Sequence, residues 1–144
     1  MSIEPTTILY IDDDPDDLMI FGESISSLYP GIRILKAQSG EEGINILSML
    51  ERENRPYPSL VMLDLNMPKM NGRQTLQHIR SNQNWEDIPV VIFTTCSSAS
   101  DIEFCKNYNT DCITKPMSYR YMGQTIQQLF TYCNISLDEQ RANG

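Results

Sequence analysis

An open, doubly wound α/β sheet is the fold class this sequence predicts, and three observations predict it. Short, wholly apolar runs alternate with amphipathic stretches; most apolar runs stop at a polar or charged residue; and Pro, Gly and Asn punctuate the joins. Strands buried on both faces read as continuous apolar runs, and that is the mark of a parallel sheet covered by helices. The chain has 144 residues, the size of one ordinary domain.

The first run, Ile8 to Ile11, reads as a strand stopped by three aspartates. A helix follows from about Pro15, Asp16 and Asp17, because proline and acidic residues suit a helix first turn. Leu18, Phe21, Ile25 and Leu28 give it an apolar stripe at steps of 3, 4 and 3, and Tyr29-Pro30-Gly31 breaks it. Ile32 to Ala37 reads as the second strand. Ser39, with Glu42 three residues on, forms a capping-box pattern that opens the second helix. Ile44, Leu47 and Leu50 or Met49 are its inward stripe, and Glu51 to Ser59 is a polar loop with two prolines.

Leu60 to Leu63 is a third, fully apolar strand ending at Asp64. Asn66 to Gly72 is a turn region, and a third helix runs from about Arg73 to Ser81 with Leu76 and Ile79 inward. Val90 to Phe93 is the fourth strand, introduced by Pro89 and ending at Thr94. A fourth helix covers about Ala99 to Tyr108, and Cys112 to Thr114 is a short fifth strand before Lys115-Pro116. A last helix from about Ser118 to Cys133 carries Met122, Ile126, Leu129 and Cys133 on one face.

Composition bounds the function. The net charge of −8 argues against non-specific binding to nucleic acid or to an anionic membrane, both of which need basic surfaces. Cysteines stand at 96, 105, 112 and 133, with no CxxC pair and only one histidine, His78, so a structural zinc site is not expected. Each Cys reads as a small buried hydrophobe. No signal peptide or spanning segment is evident, and the expected compartment is the reducing cytoplasm.

Doubly wound sheets bind ligands at the carboxyl ends of their strands. That edge collects Asp12, Asp13 and Asp14 from strand one, Asp64 from strand three, Thr94 from strand four and Lys115 from strand five. Singly, each has an ordinary explanation. An Asp after a strand is by default a turn or cap, Asp16 and Asp17 a solvated first turn, and Lys115 a surface lysine. Together they point to chemistry. Crowded carboxylates hold a proton or a cation, and a donor set of oxygens alone suits Mg²⁺. A carboxylate can attack phosphorus to give an aspartyl-phosphate, with Lys and a hydroxyl holding the other phosphoryl oxygens.

These motifs resemble the receiver domain of two-component response regulators over residues 7–133. ILYIDDD resembles that family's first strand and acidic pair, LVMLDLNMPKMNG its phosphoacceptor strand and following turn, PVVIFTT its fourth strand with the switch hydroxyl, and ITKP its fifth strand. The 30-residue spacing from Asp64 to Thr94 fits as well. The resemblance implies a flavodoxin-like sheet of five parallel strands in order 2-1-3-4-5, with helices on both faces. It implies one receiver domain over 1–134, a polar tail over 135–144 and no output domain.

By the same resemblance Asp64 is the phosphoacceptor, with Thr94 and Lys115 acting on the phosphoryl group and Thr95 offering its backbone N–H. Mg²⁺ is held by Asp13 directly, Asp12 through water, Asp64, and the backbone carbonyl of Asn66. The proline after Lys115 is expected to be cis. The implied partners are a sensor histidine kinase and a downstream protein or phosphotransfer protein, without nucleic acid or membrane. A homodimer through helix four, strand five and helix five is a further option, with Tyr108, Tyr121 and Phe130 expected on that face.

The sequence departs from the family pattern in places. The segment ERENRPYPS lengthens the approach to strand three, as in receivers associated with bacterial phytochrome kinases. Cys112 occupies the position, three before the lysine, where an aromatic switch residue is usual. Cys96, two after Thr94, implies slow self-hydrolysis of the phosphoryl group. An aspartate-based phosphatase is a competing reading of Asp12-Asp13-Asp14, but the first acids after Lys115 are Asp138 and Glu139. A phosphorylation-independent binding module is the other. A kinase role for His78 is not supported.

Overall fold

A computed structural model describes residues 6–65, 67, 71–95 and 98–132. Five parallel strands form one sheet in the order β2-β1-β3-β4-β5. They are β1 Thr6–Ile11, β2 Ile32–Ala37, β3 Leu60–Leu63, β4 Val90–Thr94 and β5 Asp111–Thr114. The connecting helices are α1 Pro15–Leu28, α2 Gly40–Arg52, α3 Gly72–Ser81 and α4 Ala99–Asn107, with α5 Met122–Phe130 closing the fold. Their apolar faces cover both sides of the sheet.

Strand alternation divides the core in two. Ile8 and Tyr10 of β1, with Met62, Phe93 and Ile113, pack under α1 and α5. Leu9 and Ile11, with Val61, Leu63 and Ile92, pack under α2 and α3. The second layer also takes Trp85, from the connection between α3 and β4, which is 2% exposed. His78, exposed on α3, stacks on it with ring centroids 6.1 Å apart.

Most element boundaries match the sequence reading to within two residues, and the exceptions have local causes. The last helix begins four residues late, because a 3-10 turn over Tyr119–Tyr121 precedes α5. Leu28 is 37% exposed, since Tyr29 takes the buried place at the end of α1 and packs on Phe130 with centroids 5.0 Å apart. Phe130 is therefore core, 1% exposed, and not on a surface face as expected; Tyr121 is exposed and Tyr108 half-buried. Ser39 does cap α2, accepting from the Glu42 N–H at 3.0 Å, but the Glu42 carboxylate returns to the Gln38 N–H. No peptide bond among the described residues is cis, so Lys115–Pro116 is trans, against expectation. Asn66, Cys96, Cys133 and the tail lie outside the described residues.

Candidate functional site

The sheet ladder delivers the acidic residues to one edge. The N–H of Asp12 donates to Ala37 at 3.0 Å, and that of Asp64 donates to Ile11 at 3.0 Å. Each acid is thus fixed as the first residue beyond its strand. On the other flank the Lys115 N–H donates to the Thr94 carbonyl at 2.8 Å, holding the ends of β4 and β5 together. Asp12 and Thr94 are fully buried, Asp64 is 7% exposed and Lys115 is 5% exposed. Asp13 and Thr95 are exposed.

Lys115 is the hub. Its Nζ lies 2.5 Å from Asp12 Oδ2, 2.7 Å from Asp17 Oδ2 and 3.6 Å from Asp64 Oδ2. Burial by itself would lower the ammonium pKa, but the hydrogen bonds to Asp12 and Asp17 and the nearby Asp12 and Asp64 charges outweigh it and hold the pKa above its usual value. Asp12 goes the other way for its type. Burial pushes its carboxyl above the usual range, although Lys115 and the Asp14 N–H both pull it down. A buried carboxylate persists only when it is fully bonded. Asp12 is: Oδ1 accepts from the Asp14 N–H at 2.9 Å, and Oδ2 accepts from Tyr10 Oη at 3.0 Å as well as from Lys115.

Carboxylate oxygens of Asp12, Asp13 and Asp64 all lie within 4.8 Å of one another. A hard divalent cation fits this set, which offers oxygen donors only. Asp12 already spends both oxygens on protein donors, whereas Asp13 faces solvent, so Asp13 is the better placed to meet such an ion directly. Asn66, the fourth expected ligand, lies outside the described residues.

Two expectations about the surrounding acids divide. Asp14 is a helix cap, accepting from the Asp16 and Asp17 N–H groups. Asp17, read as a solvated first-turn residue, instead reaches into the site and pairs with Lys115. Tyr10 was not singled out either. It lies two residues before Asp12 on the same strand face, and that alternation could have shown it. Beneath Asp64, Gly72 allows α3 to approach: a Cβ there would collide with the Asp64 carbonyl oxygen and Leu65 Cα.

Similarity to known proteins agrees with this geometry. Residues 8–127 match the family described as response regulator receiver domain. The chain is 28% identical over 130 residues to the probable methanogenesis regulatory protein FilR2 of Methanothrix harundinacea, covering 90% of this chain and 84% of that protein. It is 28% identical over 130 residues to response regulator Rcp1 of Synechocystis, covering 89% and 88% respectively. The crystal structure of the Mn²⁺-bound form of Rcp1 superposes with a TM-score of 0.71 at 25% identity, over 92% of this chain and 98% of that one. A two-component response regulator from Legionella pneumophila gives 0.68 at 31% identity, over 88% and 98%. With its strand order, its acidic edge and these relatives in agreement, the chain belongs to the response regulator receiver domain family.

Proposed function

We propose that this chain is a signalling switch that accepts a phosphoryl group on Asp64 from a phosphohistidine of a sensor kinase. The observation that carries the reading is the convergence of Asp12, Asp13 and Asp64 with Lys115 at the carboxyl edge of the sheet. An Asp64 oxygen attacks phosphorus, the P–N bond breaks, and its electron pair leaves with the imidazole nitrogen. Asp13, Asp64 and the Asn66 carbonyl, with Asp12 behind them, would hold Mg²⁺, which would supply positive charge to the transferring group.

The chain's own residues do the positioning. Lys115 shifts from Asp12 and Asp17 toward the new phosphoryl oxygens, which lie on the Asp64 side of its present place. The Thr94 hydroxyl and the Thr95 N–H bond two further oxygens. Asp12, fully bonded and buried, keeps the metal side of the pocket negative without itself being consumed. Phosphorylation then biases the surface of α4, β5 and α5, through which the chain engages a downstream protein, passes the phosphoryl group on, or pairs with a second copy. The proposed setting is the cytoplasm; among the described residues no helix is long and apolar enough to cross a membrane. The protein acts as a phosphoacceptor that loses its phosphoryl group slowly, and not as a turnover enzyme.

The test is incubation with a small phosphoryl donor and Mg²⁺, followed by intact-mass measurement. Wild type gains one phosphoryl group and Asp64→Asn gains none. Equal labelling of both proteins would refute the assignment.

A further inference from the structure

Two thiols meet where α4 packs on β5. Cys105 of α4 is buried, 1% exposed, and Cys112 of β5 packs against the same cluster from a half-buried position. The connection between them is tight. The Cys105 carbonyl accepts from the Tyr108 N–H at 3.0 Å and the Thr110 N–H at 2.9 Å, and Asn109 reverses the chain with a φ of 52°. Alternation along β5 then turns Ile113 to the α1 and α5 side and Cys112 to the α4 side. Both side chains therefore pack into the same cluster at the seam, and Cys112 is near enough to act on the Cys105 thiol. A thiol reachable from solvent beside a buried one is the arrangement of an attacking and a resolving cysteine.

We propose that Cys105 and Cys112 form a redox-active dithiol, which a low-molecular-weight disulfide such as oxidised glutathione converts into an intramolecular disulfide clamping α4 to β5. The Cys112 thiolate attacks one glutathione sulfur, making one S–S bond and expelling glutathione thiolate. Cys105, losing its proton to solvent, then displaces the second glutathione from Cys112. The protein gives up two electrons and two protons, and two glutathione thiols form. Burial, aided by the adjacent Cys112, pushes the Cys105 thiol up to about 11, so the second exchange is the slower. Disulfides in a reducing compartment are transient and regulatory when they occur, which suits a seam that pairs a half-buried thiol with a buried one.

The clamp lies close to the switch. Cys112 pairs in register with Ile92, two residues before Thr94 on β4. Oxidation would therefore stiffen the surface that phosphorylation is proposed to change; that consequence rests on the proposed switching, whereas the disulfide itself does not.

The experiment treats the reduced full-length chain with oxidised glutathione, blocks remaining thiols with iodoacetamide and maps tryptic peptides. Trypsin cuts after Lys106, which separates the two cysteines. The expected product joins the peptides of Cys105 and Cys112 without covalent dimer, and dithiothreitol reverses it. Cys105→Ser stops at a glutathione adduct on Cys112, and Cys96→Ser, which removes the other thiol of the Cys105 peptide, leaves the crosslink intact. Asp64→Asn forms the crosslink as wild type does, which keeps this result separate from the fate of the phosphoacceptor reading. The proposal is overturned if Cys105 and Cys112 are alkylated as fully as in the reduced control while Cys96 or Cys133 carries glutathione, or if the crosslink survives in Cys112→Ser.

Discussion

Replacing Lys115 with Met removes the ammonium that lies against three carboxylates but keeps most of the buried aliphatic stem. Asp12 is the residue most affected. It is fully buried, and Lys115 supplies its shortest contact at 2.5 Å, leaving the Tyr10 hydroxyl and the Asp14 N–H. Removing one partner of a buried ion pair costs about 3–5 kcal/mol, because the remaining charge is uncompensated. Asp12 already has a raised pKa from burial, and losing the cation raises it further. A carboxyl with a raised folded-state pKa takes up a proton on folding between its unfolded and folded values, so stability falls as pH rises through that window.

The Lys115→Met variant should therefore lose about 3–5 kcal/mol at pH 8 and less at pH 5, because the raised Asp12 carboxyl moves toward its neutral form as pH falls. In wild type, Lys115 with its raised pKa contributes stability that is fully present below 10.5 and is lost as pH climbs through the folded value. Urea unfolding at pH 5 and pH 8 without divalent metal measures both proteins. Added Mg²⁺ should stabilise the variant more than wild type, since it replaces missing positive charge at Asp12, Asp13 and Asp64. A loss below about 1 kcal/mol at pH 8, or one equal at both pH values, would refute the reasoning about Asp12.

Other expectations follow from single contacts. Gly72→Ala should cost about 1–3 kcal/mol despite alanine's better helix propensity, because the new Cβ meets the backbone of Asp64 and Leu65; urea midpoints check it, and phosphoryl uptake should slow in parallel. Phe130→Ala should cost about 3–5 kcal/mol as a core deletion against Tyr29, where a surface aromatic would cost little. The Arg73 guanidinium holds the Asp101 carboxyl below its usual pKa at 2.6 Å, so this pair contributes above pH 3.8 and its contribution is lost as pH falls through the depressed value. Arg73 is 38% exposed, which keeps the pair to about 0.2–1 kcal/mol, read as a difference in urea midpoint between wild type and Arg73→Ala that closes in acid.

The fold was legible because a parallel sheet covered on both faces leaves a strong trace. Runs such as Leu60 to Leu63 are apolar throughout and stop at a charged residue, here Asp64. The edge of the site followed from the rule that ligands gather at strand ends, and Asp12, Asp64, Thr94 and Lys115 do stand there. Asp17 was missed because its sequence context, a helix first turn beside a capping Asp14, offers a sufficient local explanation. Only the distant Lys115 reveals its second contact. Phe130 was misplaced although it continues the step of four from Met122 and Ile126, a spacing that marks the buried face. Leu28 and Tyr29 compete for the last inward place of α1, and periodicity alone does not decide between neighbours at a helix end. The thiol contact of Cys105 and Cys112 is tertiary, set by how α4 lands on β5, and no spacing announces it.

The central claim is that Asp64, among several crowded carboxylates, is the one that takes the phosphoryl group. Borohydride reduction tests it directly, because it converts an aspartyl-phosphate to homoserine and leaves free carboxylates untouched. After incubation with a small phosphoryl donor and Mg²⁺, peptide mapping should find homoserine at position 64 and Asp retained at 12, 13 and 17. Homoserine at any of those three with Asp intact at 64 would contradict the account.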